Sequence, residues 1–155
     1  MGSSIVACLD GSKAAEGILP LVTEEALAHR SPVVLARVVS LPEIVVPISL
    51  PGEPGIPMAT EGAARRTRVE ESEAQAYLER VAGPMRGKGI DVKCVVLPGI
   101  AGETILEYAR ENGAGLIAVS THGHGGIRRL VIGSTADYIL HRSTLPVLVV
   151  RPPGK

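Results

Sequence analysis

Short apolar runs alternate along this chain with longer stretches in which apolar residues recur every three or four positions. Unbroken apolar runs indicate strands buried on both faces, whereas a recurrence of three or four predicts amphipathic helices. One run, 90–97, alternates between polar and apolar residues at first, so we place it near a sheet edge. The predicted strands are 4–9, 33–39, 90–97, 116–119 and 146–150.

Four helical patterns separate the five predicted strands. Strands that alternate with helices predict an α/β fold with an open parallel sheet and helices on both faces. Pro20 interrupts the first pattern, so we expect a kink or a restart of the helix there. The residues predicted to share an apolar face are Ala15, Ile18, Leu19, Val22 and Ala26 in the first helix and Val69, Ala76, Val81 and Met85 in the second (61–86), with Tyr77 and Leu78 beside that face. The last helix (134–141) is predicted to bury Ala136, Ile139 and Leu140.

A segment rich in proline and glycine, at about 41–60, breaks this alternation. Its five prolines predict a long loop. Neither flank is large enough to fold alone, so we interpret residues 1–155 as a single domain. The loop carries several aliphatic residues and could cover a nucleotide, a partner chain or the domain's own sheet.

Charge and composition exclude several classes of protein. The formal net charge is zero and the chain has three tyrosines and no other aromatic residue, so we expect no nucleic-acid binding. No apolar run approaches a membrane span, and no secretory signal is recognisable, so we expect a cytoplasmic protein. Cys8 and Cys94 lie in apolar strand patterns and are interpreted as core residues.

The stretch between the fourth strand and the last helix carries the candidate chemistry. It contains Gly123 and, after nine residues, Gly133-Ser134-Thr135. Glycines in the connection between a strand and a helix N-terminus allow a phosphate to approach the backbone. The first N–H groups of the helix then point at the phosphate. The alternative is an ordinary glycine-rich turn capped by Ser134. No P-loop, dinucleotide fingerprint or Ser/His/Asp arrangement is recognisable.

Gly123, nine residues and then Gly133-Ser134 resemble most of the glycine–two–glycine–nine–glycine–serine/threonine signature of the universal stress protein family. The resemblance covers the whole chain, including the first strand that ends in Asp10-Gly11-Ser12 and the closing strand Leu145–Val150. One departure is that Ser120 stands where the signature has its first glycine. The resemblance implies strand order 3-2-1-4-5, a Rossmann-like fold of the adenine nucleotide alpha hydrolase type.

In this order the first and fourth strands are neighbours, so their carboxyl ends form one crevice. Asp10 could bind a ribose hydroxyl, an adenine edge or a nucleotide-bound metal ion, or it could cap the first helix; the resemblance favours the ligand. The resemblance implies ATP, AMP or ADP as the ligand, with Mg or Mn as its counter-ion. The nucleotide-binding residues that it implies are Cys8, Asp10, Val38, Val119, Ser120, His122, Gly123, Gly133, Ser134 and Thr135.

The resemblance therefore implies an ATP-binding, nucleotide-responsive regulatory module of the stress response. We find no positioned general base, so we expect at most slow hydrolysis and name no catalytic residue. The alternative is a dimeric interaction or scaffold module of the same fold without nucleotide, which the Ser120 departure keeps open. In the implied order the apolar strand Leu145–Val150 lies at a sheet edge, and pairing with a second copy would cover it, so we expect a homodimer.

Overall fold

One parallel sheet organises the chain, and its elements are numbered here in chain order. A computed structural model describes residues 2–41, 44–45, 51–52, 58–121 and 132–152. Its elements are strands β1 (Ile5–Cys8), β2 (Val33–Val39), β3 (Ile44–Val45), β4 (Met58–Ala59), β5 (Val92–Pro98), β6 (Leu116–Ser120) and β7 (Val147–Val150), and helices α1 (Leu19–His29), α2 (Glu61–Gly87), α3 (Ala101–Glu111) and α4 (Ser134–Arg142).

The large sheet has the strand order β5-β2-β1-β6-β7, and every neighbouring pair is parallel. Counted along the chain, these five strands have the order 3-2-1-4-5, so the predicted Rossmann-like fold is confirmed. The order reverses at β1, which pairs with β2 on one side and with β6 on the other. The carboxyl ends of β1 and β6 therefore lie side by side.

The central strand is buried on both faces of the sheet. All four residues of β1 are buried, and its alternate side chains enter two separate apolar clusters. Ala7 and Leu35 pack with α1 and α2 on one face, whereas Val6 and Ile117 pack with α3 and α4 on the other. The unbroken apolar run at β1 reflects this double burial. As predicted, β5 lies at an edge.

The first helical pattern is divided at Pro20. A short 3₁₀ helix, Ala15–Ile18, leads directly into α1, where Pro20 occupies the first turn. Proline is tolerated there because the first N–H groups of a helix have no intrahelical partner. The predicted restart is confirmed, and Ala15, Ile18 and Val22 are buried as expected.

Two residues predicted on the apolar face of α2 and one residue predicted to be buried in α4 are exposed. In α2, Val69 is 51% exposed and Ala76 is also exposed; in α4, Leu140 is 41% exposed. The 27 residues of α2 span about 40 Å, far more than the roughly 23 Å of a seven-residue strand. The buried positions of α2 are Ala63 in the first turn and then Ala74, Leu78, Val81, Ala82 and Met85. Helical periodicity alone does not reveal which turns of a long helix have a sheet to pack against.

The segment at about 41–60 is partly paired, in contrast to the predicted continuous loop. Strand β3 pairs antiparallel with β4, with Ile44 opposite Ala59 and Val45 opposite Met58. Thr60 then caps α2, because its hydroxyl accepts a hydrogen bond from the Ala63 amide at 3.1 Å. Most of the remaining residues of this segment lie outside the described residues.

Candidate functional site

A cleft of about 230 Å³ lies beyond the carboxyl ends of β1, β2 and β6. All the predicted nucleotide-binding residues that the structure describes line it; His122 and Gly123 lie outside the described residues. The strand order brings together residues far apart in sequence, as expected at the switch point of a parallel sheet. The lining residues are Cys8, Leu9, Asp10, Ala15, Val38, Ala101, Val119, Ser120, Gly133, Ser134 and Thr135.

Sequence reasoning missed three of these lining residues: Leu9, Ala15 and Ala101. Ala15 and Ala101 are the first residues of the 3₁₀ helix and of α3. Both are small residues that directly follow a turn after a strand, and that pattern could have indicated them. Ala101 reaches the cleft because Gly102 lets α3 pack closely on α4: a Cβ at Gly102 would lie 2.8 Å from the Tyr138 ring.

The N-terminus of α4 faces this cleft. Gly133 is its N-cap residue, and among the described residues no side chain caps the helix. The amides of Ser134, Thr135 and Ala136 belong to the first turn, where an N–H group has no intrahelical acceptor. Together with the helix dipole, such amides favour an anion at this end of the cleft.

Gly133 joins the beginning of α4 to the end of β6. Its N–H group donates to the Thr121 carbonyl at 2.7 Å. A Cβ on Gly133 would lie 3.0 Å from the same carbonyl oxygen. The missing side chain therefore lets the chain close against the end of β6 just before α4 begins.

The Asp10 carboxylate organises the turn after β1. Its Oδ1 accepts hydrogen bonds from the Ser12 amide at 2.9 Å and from the Ser12 hydroxyl at 2.6 Å. The Ser12 hydroxyl in turn accepts from the Ala15 amide at 3.1 Å, so the hydroxyl that Asp10 holds caps the first residue of the 3₁₀ helix. Gly11 has φ +87°, which side-chain-bearing residues rarely adopt. Asp10 thus combines a structural role with its place in the cleft.

Ser120, which replaces the first glycine of the signature, is buried at the end of β6. Its hydroxyl donates to the Ala14 carbonyl at 3.2 Å and so joins β6 to the turn after β1. Ser120 is one of the residues that line the cleft. A glycine at this position would leave the space of the side chain open and lose the hydrogen bond.

The cleft has little charge of its own. Among its described lining residues, Asp10 is the one carboxylate, and none is lysine or arginine. Burial, with a smaller effect of Asp10, raises the pKa of Cys8 to about 12, so its thiol stays protonated and unreactive at neutral pH. For a metal ion the described lining offers a single carboxylate, so a divalent cation would need further oxygen ligands, from water or from a bound phosphate, to complete its coordination.

The fold and the cleft define an α/β protein whose site lies at the switch point of a doubly wound sheet. Residues 1–151 match the profile of the Universal stress protein family, and the chain belongs to that family. Universal stress protein MJ0531 of Methanocaldococcus jannaschii is 32% identical over 83 residues, which are 54% of this chain and 49% of that protein. The segments matched in the first three curated relatives cover 29% to 49% of the length of those proteins.

Solved structures share the fold over the full chain. The structure of MJ0577, from the same archaeon, has a TM-score of 0.83 at 24% identity and covers 99% of this chain and 98% of its own. The universal stress protein from Archaeoglobus fulgidus in complex with dAMP has a TM-score of 0.62 at 22% identity, and the match covers 96% of this chain and 97% of that chain.

Within the described residues, no helix is both long and apolar enough to cross a membrane.

Proposed function

We propose that the cleft binds an adenine nucleotide, with ATP as the first candidate, and that occupancy regulates the protein during stress in the cytoplasm. The observation that carries this proposal is the N-terminus of α4, which faces the cleft without a side-chain cap among the described residues. The dAMP complex of the Archaeoglobus fulgidus relative supports an adenine nucleotide as the ligand class.

The residues of the cleft fit this ligand in different ways. The amides of the first turn of α4 and the hydroxyls of Ser134 and Thr135 would donate to the phosphates. Val38 lies at the apolar side of the cleft, where its backbone groups would contact the adenine. Asp10 would bind the ribose or a Mg or Mn ion carried by the phosphates. We expect at most slow hydrolysis, because Asp10, the one carboxylate among the described lining residues, already accepts two hydrogen bonds from Ser12.

A thermal-shift titration tests nucleotide binding. At an ATP concentration of about 100 times Kd, in the presence of Mg²⁺, binding stabilises the native state by about 2.7 kcal/mol. For a chain of this size we expect Tm to rise by roughly 5–10 °C. ADP, AMP and GTP, titrated in parallel, show whether the phosphates and the adenine ring are both recognised.

Three outcomes would contradict the proposal in different ways. No shift with any adenine nucleotide at millimolar concentration contradicts binding. An equal shift with GTP contradicts adenine recognition. Phosphate release above about 1 per second, the low end for enzymes, contradicts a regulatory module and indicates a hydrolase.

A second candidate function is a dimeric scaffold of the same fold that binds no nucleotide. Two hydrogen bonds favour it: the Gly133 amide already donates to the Thr121 carbonyl, and the Ser120 hydroxyl already donates to the Ala14 carbonyl. Both donors therefore already have acceptors within the protein. The same thermal-shift titration separates the two candidates, since a scaffold of this kind shows no response to nucleotide.

Both candidates include a homodimer formed through β7, the outermost of the described strands on its side of the sheet. Its four residues are apolar and all of them are partly exposed. The Val150 carbonyl accepts from the Thr121 amide of β6, so by alternation the backbone groups of Val149 point to the open edge. A second copy of β7 would satisfy these groups and cover the apolar side chains.

Val149→Pro is expected to convert the dimer to a monomer. Proline removes an N–H group from the open edge while the hydrogen bonds between β6 and β7 remain. Size-exclusion chromatography with light scattering measures the mass, circular dichroism checks the fold, and Val149→Thr, which keeps the N–H group, is the matched control. A wild-type monomer at micromolar concentration, or a dimeric Val149→Pro protein, would contradict this interface.

A further inference from the structure

A polar cluster lies behind the turn that carries Asp10, on the face of the sheet opposite to Val38. Arg37 precedes Val38 in β2, and successive side chains of a strand point to opposite faces. Its guanidinium packs against the backbone of Gly11: a Cβ built on Gly11 would lie 3.0–3.2 Å from the atoms of this group. Arg37 therefore contacts the turn from outside the cleft.

Tyr77 of α2 holds Arg37 in this position. The guanidinium carbon of Arg37 lies 5.3 Å from the centroid of the Tyr77 ring, a cation–π distance. The Tyr77 hydroxyl donates to Glu16 Oε1 at 3.1 Å, which joins α2 to the 3₁₀ helix. Burial and the neighbouring Glu16 raise the pKa of Tyr77, so this donor keeps its proton throughout the physiological range.

The turn after β1 is thus fixed from two sides. Arg37 packs against Gly11 and Tyr77 binds Glu16, while Ser12 connects the Asp10 carboxylate to the Ala15 amide. Because the Arg37 guanidinium packs against Gly11, the residue directly after Asp10, the two opposite charges lie at one turn. Both also act on the pKa of Tyr77, after the larger effects of burial and Glu16: Asp10 raises it and Arg37 lowers it.

This cluster matters for an anionic ligand. Asp10 lines the cleft with a carboxylate, and none of the described lining residues is a cation. A carboxylate beside a phosphate repels it unless a positive charge lies close by. Arg37 lies on the outer side of the turn, where it provides a positive charge close to Asp10 without entering the cleft.

We propose that Arg37 is a positioning residue of the cleft: it fixes the Asp10–Ser12 turn from behind and offsets the charge of Asp10 for an anionic ligand. This inference rests on the proposed nucleotide function and adds to it a determinant of phosphate binding. The determinant lies outside the signature that relates the chain to its family.

The test compares the affinities of ATP and adenosine, measured by calorimetry, for the wild type and three variants. Arg37→Met keeps the apolar stem and removes the charge; we expect ATP to bind about tenfold more weakly and adenosine within about twofold of wild type. Arg37→Lys restores the charge and is expected to recover most of the ATP affinity. At about 1 M salt, screening should shrink the difference between Arg37→Met and wild type.

Arg80→Met is the matched control. Arg80 lies at the same 5.3 Å from the Tyr77 ring, but it belongs to α2 rather than to the strand beside the turn. We expect this variant to bind ATP as the wild type does. Equal losses in the Arg37→Met and Arg80→Met proteins would overturn the inference, because they would indicate general packing around Tyr77.

Two further outcomes also overturn it: an Arg37→Met protein that binds ATP as tightly as the wild type, and one that loses ATP and adenosine by the same factor. The second would mean that Arg37 supports the fold of the cleft and not its charge. A wild type that binds neither ligand contradicts the proposed function itself, and the inference falls with it.

Discussion

Gly133→Val is expected to abolish the stabilisation of the protein by ATP, with Kd rising about a hundredfold or more. A Cβ at this position would already lie 3.0 Å from the Thr121 carbonyl oxygen, and the two methyl groups of valine need further space. The chain must then move away from β6, which displaces the first turn of α4 from the cleft. The thermal-shift titration measures the loss directly.

The variant must be folded for this result to count. Gly133 is half-buried and lies before α4, and its φ of −58° suits a side chain, so we expect the far-ultraviolet circular dichroism to be unchanged. Gly62→Val is the matched control, because a Cβ on Gly62 in α2 would meet nothing within 4 Å. If folded Gly133→Val still responds to ATP as the wild type does, the phosphates do not bind at α4.

Gly102→Val is expected to destabilise the native state by about 3 kcal/mol, the upper part of the range for overpacked cores. A Cβ on Gly102 would lie 2.9 Å from the Tyr138 Cβ, which is fixed to the backbone of α4 and cannot rotate away. The helices α3 and α4 would therefore separate at their N-termini, where both line the cleft. Chemical denaturation measures the loss of stability.

A double-mutant cycle with Tyr138→Ala isolates this contact. Removing the ring relieves part of the overlap, so we expect Gly102→Val to cost less in the Tyr138→Ala background. Gly62→Ala serves as the control, since its open surroundings predict no loss and a helical glycine replaced by alanine gains up to about 1 kcal/mol. Additive effects of Gly102→Val and Tyr138→Ala would contradict close packing between the two helices.

The sequence predicted the elements better than it predicted their packing. The restart at Pro20 followed from local chemistry, because proline lacks the N–H group that a helix interior requires. Val69, predicted on an apolar helix face, and Leu140, predicted to be buried, are both exposed, although both lie in the predicted helices. Hydrophobic periodicity predicts which side of a helix is apolar, whereas burial depends on whether another element packs against that side at each turn.

The candidate site shows the same difference between local features, which the sequence predicted, and contacts between distant segments, which it did not. The spacing from Gly123, together with the family resemblance, indicated Gly133 and Ser134 as site residues. Both of them line the cleft. That spacing carried no information about the Gly133 amide, whose partner is a carbonyl at the end of β6. Arg37 was not selected at all, because an arginine in a strand has no pattern that relates it to a turn more than twenty residues earlier.

The amino-acid sequence by itself determined the α/β class and the approximate strands and helices, because apolar runs, periodicity and turn residues act over a few neighbouring positions. With the family resemblance it also indicated the strand order and most of the described cleft. Only the tertiary structure decided which amides remain available at α4, that Ala101 joins the lining, and that Arg37 supports the turn of Asp10. Those features arise from contacts between distant segments, whose distances depend on how the helices pack on the finished sheet.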